Sequence, residues 1–150
     1  MERRNFLKFG AVAMVATSTQ ILANNNTEQT PYKQYRDKIY NRNRYTKSDK
    51  PTKGELKHSP EIKIGTVDNK GYTLVEITVG QEGIIHPSTK DHWIDFIELE
   101  GDGQLLARTF FEPNTSMGYV AYKVKLNGIK KLTAREGCNK HGIWEENTKL

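Results

Sequence analysis

From residue 58 onward, apolar and polar residues alternate along short segments separated by turn-forming residues. This period of two is typical of strands that bury one face. The predicted strands are EIKIGTV (61–67), YTLVEITVG (72–80), WIDFIELE (93–100), QLLARTFF (104–111), GYVAYKVKLNG (118–128) and KLTARE (131–136). In the fifth of them, Val120, Tyr122, Val124 and Leu126 share one face. Because no segment after residue 57 has helical periodicity, we predict an all-β domain, a β-sandwich rather than a small barrel.

The first 23 residues follow a different pattern. Arg3 and Arg4 precede an apolar run from Phe9 to Ala16, and small residues follow, ending at Ala23. The run has about half of the ~20 residues needed to span a bilayer, so we interpret residues 1–23 as an export leader, with an uncleaved membrane anchor as the alternative. The segment RRNFLK resembles the twin-arginine signal, which implies a periplasmic protein that is exported already folded and keeps no stable membrane span. A metal loaded before such export would be protected from exchange with copper or zinc.

Residues 24–53 are rich in Asn, Lys, Arg and Tyr, and their apolar content is thin for an amphipathic helix. We therefore predict a basic linker over 24–53 and a folded domain over 54–150. The net charge of +5 is unevenly distributed, because residues 31–57 carry nine Lys or Arg against three Asp or Glu, while residues 58–150 carry eleven against thirteen. Since the domain itself is mildly acidic, we expect no nucleic-acid partner.

The domain contains one cysteine and four histidines, all in predicted loops or at strand ends. The single cysteine excludes an intramolecular disulfide. Taken alone, each histidine could be an ordinary surface or capping residue. However, Cys138 and His141 lie three residues apart in one tight turn, His86 and His92 flank a Pro-containing loop, and His58 begins the domain. Since imidazole and thiolate suit iron, copper and zinc, the five side chains form a candidate metal site.

Three segments of the chain resemble the superoxide reductases, namely the iron domain of desulfoferrodoxin and the one-iron neelaredoxins. They are KHSPEI (57–62), HPSTKDHWIDFIEL (86–99) and CNKHGIWE (138–145), within a resemblance that covers about residues 54–150. The resemblance implies an immunoglobulin-like β-sandwich with one iron ion per chain, held in loops at one end. It further implies four imidazoles in one plane, a thiolate on the axis, an open opposite position, and one-electron reduction of superoxide to hydrogen peroxide. The implied ligands are His58, His86, His92, Cys138 and His141.

Other residues acquire candidate roles beside these ligands. Lys57 would attract superoxide and organise a proton-donating water, a function that the family also gives to this position; an ordinary surface lysine is the alternative. Asn139 and the backbone near Gly142 would hydrogen-bond the thiolate and tune it, unless they serve only the turn. Trp93 and Trp144 are expected to wall the site or to fill the core.

The chain departs from the family in two respects. Many members have a Glu directly before this lysine, whereas here Leu56 occupies that position and Glu55 lies one residue further back. Water or hydroxide is therefore expected at the sixth position of the oxidised iron. The Cys-rich, rubredoxin-like domain of desulfoferrodoxin is also missing, because there is no second cysteine. We therefore expect an external one-electron donor protein, and we expect a homo-oligomer.

Two other classes of protein remain as alternatives. A cupredoxin-like electron carrier also combines His and Cys on a β-sandwich, but its copper site uses two His and usually a Met soon after the second. No Met follows His141, and the nearest one before it is Met117. A non-catalytic module that holds zinc is the second alternative, although structural zinc takes four ligands rather than five.

Overall fold

The computed structural model describes residues 41–150, which form eight β-strands and one short helix. The strands are β1 (Arg44–Tyr45), β2 (Pro60–Val67), β3 (Thr73–Val79), β4 (Ile94–Gly101), β5 (Gln104–Phe110), β6 (Tyr119–Val124), β7 (Lys131–Cys138) and β8 (Gly142–Lys149). The helix α1 spans Lys53–His58. No helix within residues 41–150 is long and apolar enough to cross a membrane.

The strands form two sheets. One has five strands in the order β1-β8-β7-β4-β5, and the other has three in the order β2-β3-β6. All pairs are antiparallel except β1 with β8, which is parallel. This arrangement confirms the predicted all-β sandwich-like fold.

The core lies between the inner faces of the two sheets. On β3, Val75, Ile77 and Val79 alternate with more exposed residues and are at most 1% exposed. They pack in one cluster with Ile97 and Leu99 of β4. Each such side chain contributes about 1.5–3 kcal/mol when it is fully buried. The predicted inner face of the fifth strand is also confirmed, because Val120 of β6 belongs to this cluster and Tyr122, Val124 and Leu126 pack against it.

Two elements differ from the sequence-based expectations. Strand β8 was not predicted, because GIWEENTK alternates poorly, and its pairing with β7 from Lys131↔Lys149 to Cys138↔Gly142 is a tertiary contact. Helix α1 begins in the last residue of the predicted linker and is too short to show a periodic apolar face. A single turn of this kind depends on its caps rather than on an amphipathic pattern.

The predicted leader, residues 1–23, lies outside the described residues, as does the linker up to residue 40. The described part of the linker contacts the domain. Residues 41–47, which we call the N-terminal strap, add β1 to the edge of β8, with Arg44 opposite Ile143 and Tyr45 opposite Trp144. Lys47 extends this contact by an ion pair of 2.8 Å with Glu146. The domain boundaries themselves stay a prediction.

Candidate metal centre

The five donor residues come from four elements at one end of the sandwich. His58 ends α1, His86 and His92 lie in the loop between β3 and β4, Cys138 ends β7, and His141 lies in the turn before β8. None of the four histidines lies within a strand, and Cys138 is the last residue of β7, so their convergence depends on how α1 and the two loops are held.

Helix α1 is fixed by a capping box that orients His58. The Thr52 hydroxyl accepts a hydrogen bond from the Glu55 N–H at 3.2 Å, and the Glu55 carboxylate accepts one from the Thr52 N–H at 2.7 Å. One turn later, His58 Nδ1 donates to the Gly54 carbonyl at 2.6 Å. This bond fixes the tautomer, so that Nε2 carries the free lone pair and points away from the helix.

The loop that carries His86 and His92 is attached to the end of α1. The N–H groups of Gly80 and Gln81 donate to the Ser59 and Leu56 carbonyls, both at 3.0 Å. Gly80 has φ +117°, and a Cβ there would lie 2.0 Å from the Ile84 carbonyl oxygen, so only glycine permits this turn. His86 Nδ1 then donates to the Pro87 carbonyl at 2.7 Å, which leaves its Nε2 free as in His58.

Asn139 joins this loop to the cysteine turn. Its side-chain oxygen accepts from the Trp93 N–H at 2.9 Å, and its amide nitrogen donates to the Asp91 carbonyl at 3.0 Å. The amide is therefore engaged with the neighbouring loop, whereas the backbone N–H groups of Lys140 and His141 hydrogen-bond the Cys138 sulfur. Asn139 thus clips the two ligand-bearing segments together.

The four imidazoles form a square. Neighbouring rings have centroids between 4.6 and 4.9 Å apart and planes inclined by 68° to 76°, in the cyclic order His58, His86, His92, His141. The rings of His58 and His92 lie across the square from each other, at 6.1 Å. The Nε2 atoms of His86 and His92 are buried and have no hydrogen-bond partner. Buried ring nitrogens without partners are costly unless they bind something, and a cation at the centre would satisfy them.

Cys138 completes the cluster. The donor atoms of His58, His92, Cys138 and His141 all lie within 4.8 Å of one another. His141 Nδ1 lies 3.0 Å from His58 Nε2 and 3.4 Å from the Cys138 sulfur. Two nitrogen ligands placed 90° apart at about 2.1 Å from one ion would be separated by about 3.0 Å. The donor set and its spacing therefore fit one transition-metal ion. His86 is not one of these four residues, but its ring lies next to those of His58 and His92.

The imidazoles are held in the form that binds metal. Burial lowers the pKa of His58 and His92 to about 4 and that of His86 to about 3. It also lowers the pKa of the more exposed His141. All four rings are therefore neutral at pH 7 and keep a lone pair for coordination. Burial raises the pKa of the Cys138 thiol to about 11, so the bound ion must displace its proton.

Lys57 contributes positive charge to the centre. It is half-buried in α1 and lines a cleft of about 340 Å³ that also reaches His58, His141 and Trp144. Besides burial, its charge lowers the pKa of all four imidazoles. A small anion that enters the cleft therefore meets a cation next to the histidines. Cys138, in contrast, is fully buried on the core side.

The two residues before Lys57 have structural roles in the fold. Leu56 is buried at 7% exposure. The Glu55 carboxylate accepts hydrogen bonds from the backbone N–H groups of Thr52 and Ser48, which lower its pKa to about 2. The Leu56 side chain thus belongs to the core, and the Glu55 carboxylate is engaged in capping the helix.

Trp144, which was expected to wall the site or to fill the core, stacks its indole on His58, with centroids 5.4 Å apart and planes inclined by 19°. Sequence reasoning missed two other features of the centre. Tyr45 of the strap packs on Trp144, with ring centroids 5.2 Å apart. Glu136 is fully buried on the core face of β7 between Ala134 and Cys138, and burial raises its pKa well above the usual value. The period of two along KLTAREGC could have indicated Glu136, whereas the contact of Tyr45 had no local signal.

Fold and centre together define a β-sandwich metalloprotein of the His/Cys type, with its site in loops at one end. A sequence model described as desulfoferrodoxin matches residues 50–147. The chain belongs to the desulfoferrodoxin family.

Individual relatives agree with this assignment. The chain is 40% identical over 110 residues to a superoxide reductase of Pyrococcus abyssi, covering 65% of this chain and 90% of the relative. The solved superoxide reductase from Nanoarchaeum equitans superposes with a TM-score of 0.57 at 28% identity, over 71% of this chain and all of that one. The one-iron superoxide reductase from Giardia intestinalis gives 0.55 at 30% identity, over 63% and 98%.

Proposed function

We propose that this protein is a superoxide reductase, which reduces superoxide to hydrogen peroxide at a single iron ion bound by four imidazoles and one thiolate. The observation that carries the proposal is the grouping of the donor atoms of His58, His92, Cys138 and His141 within 4.8 Å, with the His86 ring completing the square beside them. The buried Nε2 atoms of His86 and His92 have no hydrogen-bond partner. Relatives that match most of the domain are named superoxide reductases. A blue-copper carrier would use only two imidazoles, so the four-membered square favours iron over that class.

The ligand set suits one-electron chemistry on a small anion. Bound iron would supply the electron that, with two protons, converts superoxide to hydrogen peroxide. Four neutral imidazoles leave the positive charge of the ion largely uncompensated, which attracts an anion. The Cys138 thiolate, on the buried side, would donate electron density to the ion, as a cysteine ligand does for haem iron. The cleft beside His58 and His141 provides access for superoxide.

Lys57 is the residue that we assign to attraction and proton supply. Its ammonium group lines the cleft and acts electrostatically on all four imidazoles. In this position it would concentrate superoxide at the cleft and hold a water that donates protons to the product. Because Leu56 is buried and Glu55 caps the helix, we assign the remaining position of the oxidised centre to water or hydroxide.

The products distinguish this reaction from the dismutation of superoxide. Reduced, iron-loaded protein should be mixed with a substoichiometric pulse of superoxide, and both hydrogen peroxide and dioxygen measured. A reductase yields one hydrogen peroxide for each superoxide consumed, with one iron oxidised and no dioxygen. Half a molecule of dioxygen per superoxide would identify a dismutase, and no reaction would exclude both activities.

We further assign one iron per chain, an external electron donor protein and a homo-oligomeric state. Among the described residues the single His/Cys cluster supports one iron. The exposed apolar residues Ile64 and Val67 of β2, at 40% and 66% exposure, support self-association. Metal analysis measures the number of iron ions per chain, and light scattering measures the number of chains per oligomer.

We also propose that the protein is exported to the periplasm by the twin-arginine route. The support is the sequence pattern around Arg3 and Arg4, followed by a short apolar run. Replacement of both arginines by lysine should retain the full-length protein in the cytoplasm, whereas the unchanged protein should fractionate with the periplasm. Equal periplasmic yields from the two proteins would show that the paired arginines are not the signal.

A further inference from the structure

The N-terminal strap contacts the metal centre although it precedes the part of the chain that matches the family. The family match begins at residue 50, whereas the strap spans residues 41–47. Its contacts fall on the first residues of β8, directly after His141. The strap therefore lies on the side of the sandwich that carries two of the four imidazoles.

The backbone of the strap is tied to the turn that carries His141. The Ile143 N–H donates to the Asn43 carbonyl at 3.0 Å. Gly142 has φ +87°, and a Cβ at this residue would lie 3.1 Å from the Asn43 carbonyl oxygen and 3.2 Å from that of Asn41. Because glycine has no side chain, the strap can approach the turn closely at Gly142.

The side chain of Tyr45 extends this contact to two ligands through Trp144. The tyrosine and indole rings lie 5.2 Å apart, within the range of favourable aromatic pairs. The Trp144 Nε1–H donates to the His141 carbonyl at 3.2 Å, and the indole face stacks on the His58 ring at 5.4 Å. Tyr45 is itself held by the Asn41 amide, which donates to its hydroxyl at 2.6 Å.

We propose that the strap is a positioning element of the metal centre, and that Tyr45 acts through Trp144 to hold His58 and His141 in place for iron. The inference rests on the proposed iron site. His58 and His86 are each oriented by a backbone carbonyl that accepts from Nδ1, at Gly54 and Pro87. His141 turns its own Nδ1 toward the cluster and is exposed, so the turn that carries the ring must set its position.

The test compares three variants of the full-length iron protein. Tyr45→Ala removes the ring, Tyr45→Phe keeps it, and Tyr72→Ala removes an exposed tyrosine that contacts Lys125 near the start of β3, at the end of that strand remote from the centre. Iron release into an excess of chelator, the electron paramagnetic resonance spectrum of the oxidised iron, and the melting temperature are measured for each. Loss of one aromatic pair corresponds to roughly a two- to tenfold change in an equilibrium or rate.

We expect Tyr45→Ala to release iron about fivefold faster than wild type and to change the ferric spectrum, with Tyr45→Phe and Tyr72→Ala close to wild type. Unchanged release and spectrum in Tyr45→Ala would overturn the inference. So would faster release that Tyr72→Ala reproduces at an equal loss of melting temperature, since the effect would then be general destabilisation. Wild-type protein that binds no iron would instead overturn the proposed function.

Discussion

Replacement of His86 by Asn should reduce the acid sensitivity of the metal-free protein. His86 is 2% exposed, and burial, together with the charge of His58, lowers its pKa to about 3. An Asn side chain can still donate to the Pro87 carbonyl, which accepts from Nδ1 at 2.7 Å in the unchanged protein. The variant therefore removes the titrating ring and keeps its hydrogen bond.

The sign and size of the effect follow from proton linkage. In the unfolded chain His86 takes up a proton as the pH falls through about 6.5, whereas in the folded protein it stays neutral until about pH 3. The unfolded state thus binds more protons over this window, and stability is lost as the pH falls. Between pH 6.5 and 4.5 the loss from this one residue is about 2 kcal/mol.

Urea denaturation of the metal-free proteins at several pH values measures this difference. From pH 6.5 to 4.5, His86→Asn should lose about 2 kcal/mol less free energy of unfolding than wild type. His141→Asn is the matched control, because this ring is exposed and its pKa is lowered less strongly, so the change should be smaller. Parallel pH curves for wild type and His86→Asn would refute the claim that folding holds this imidazole neutral.

Three further substitutions test separate parts of the site. Lys57→Met should slow the reaction with superoxide about tenfold at low ionic strength and weaken the salt dependence of its rate. Lys63→Met, which changes an exposed lysine, should do neither. Equal rates for Lys57→Met and wild type in pulse radiolysis would contradict the assigned role. Gly142→Ala should lower the free energy of unfolding, measured by urea denaturation, by about 2 kcal/mol or more. Gly128→Ala is the control, because Gly128 also has a positive φ of +83° but open space around it, and it should lower that free energy by about 1 kcal/mol. Equal losses in the two variants would mean that the strap contact is unimportant. Asn139→Ala should lower the free energy of unfolding by about 2 kcal/mol and speed iron release into a chelator. Iron release at the wild-type rate would show that the hydrogen bonds of Asn139 do not support the centre.

Much of the fold was predictable because more buried and more exposed side chains alternate along strands such as β3 and β6. On β3 and β6 the period of two in the sequence corresponds directly to the inner face, from Val75 to Val79 and from Val120 to Val124. Strand β8 lacks that pattern, since Ile143 and Trp144 are adjacent and polar residues follow. Its pairing depends on the tight turn after Cys138, which no local preference specifies.

The candidate site was predictable for a different reason. Histidine and cysteine are few in this chain, and every one lies in a loop or at the end of a helix or strand, so the donor set could be counted from the sequence. Their arrangement in a square could not be predicted from the sequence, because it depends on Gly80, Asn139 and the helix cap at Thr52. The role of Tyr45 was hidden for the same reason, since its partner Trp144 lies about a hundred residues away.

The proposed function requires the Cys138 sulfur and the four imidazoles to bind the same iron ion. The most direct measurement is the visible absorption spectrum of the oxidised protein, recorded with its metal content, for wild type and Cys138→Ser. We expect about one iron per chain and a thiolate-to-iron charge-transfer band in the red that the serine variant lacks. The same band in both proteins, an intense blue copper band, or a colourless protein with one zinc per chain would contradict it.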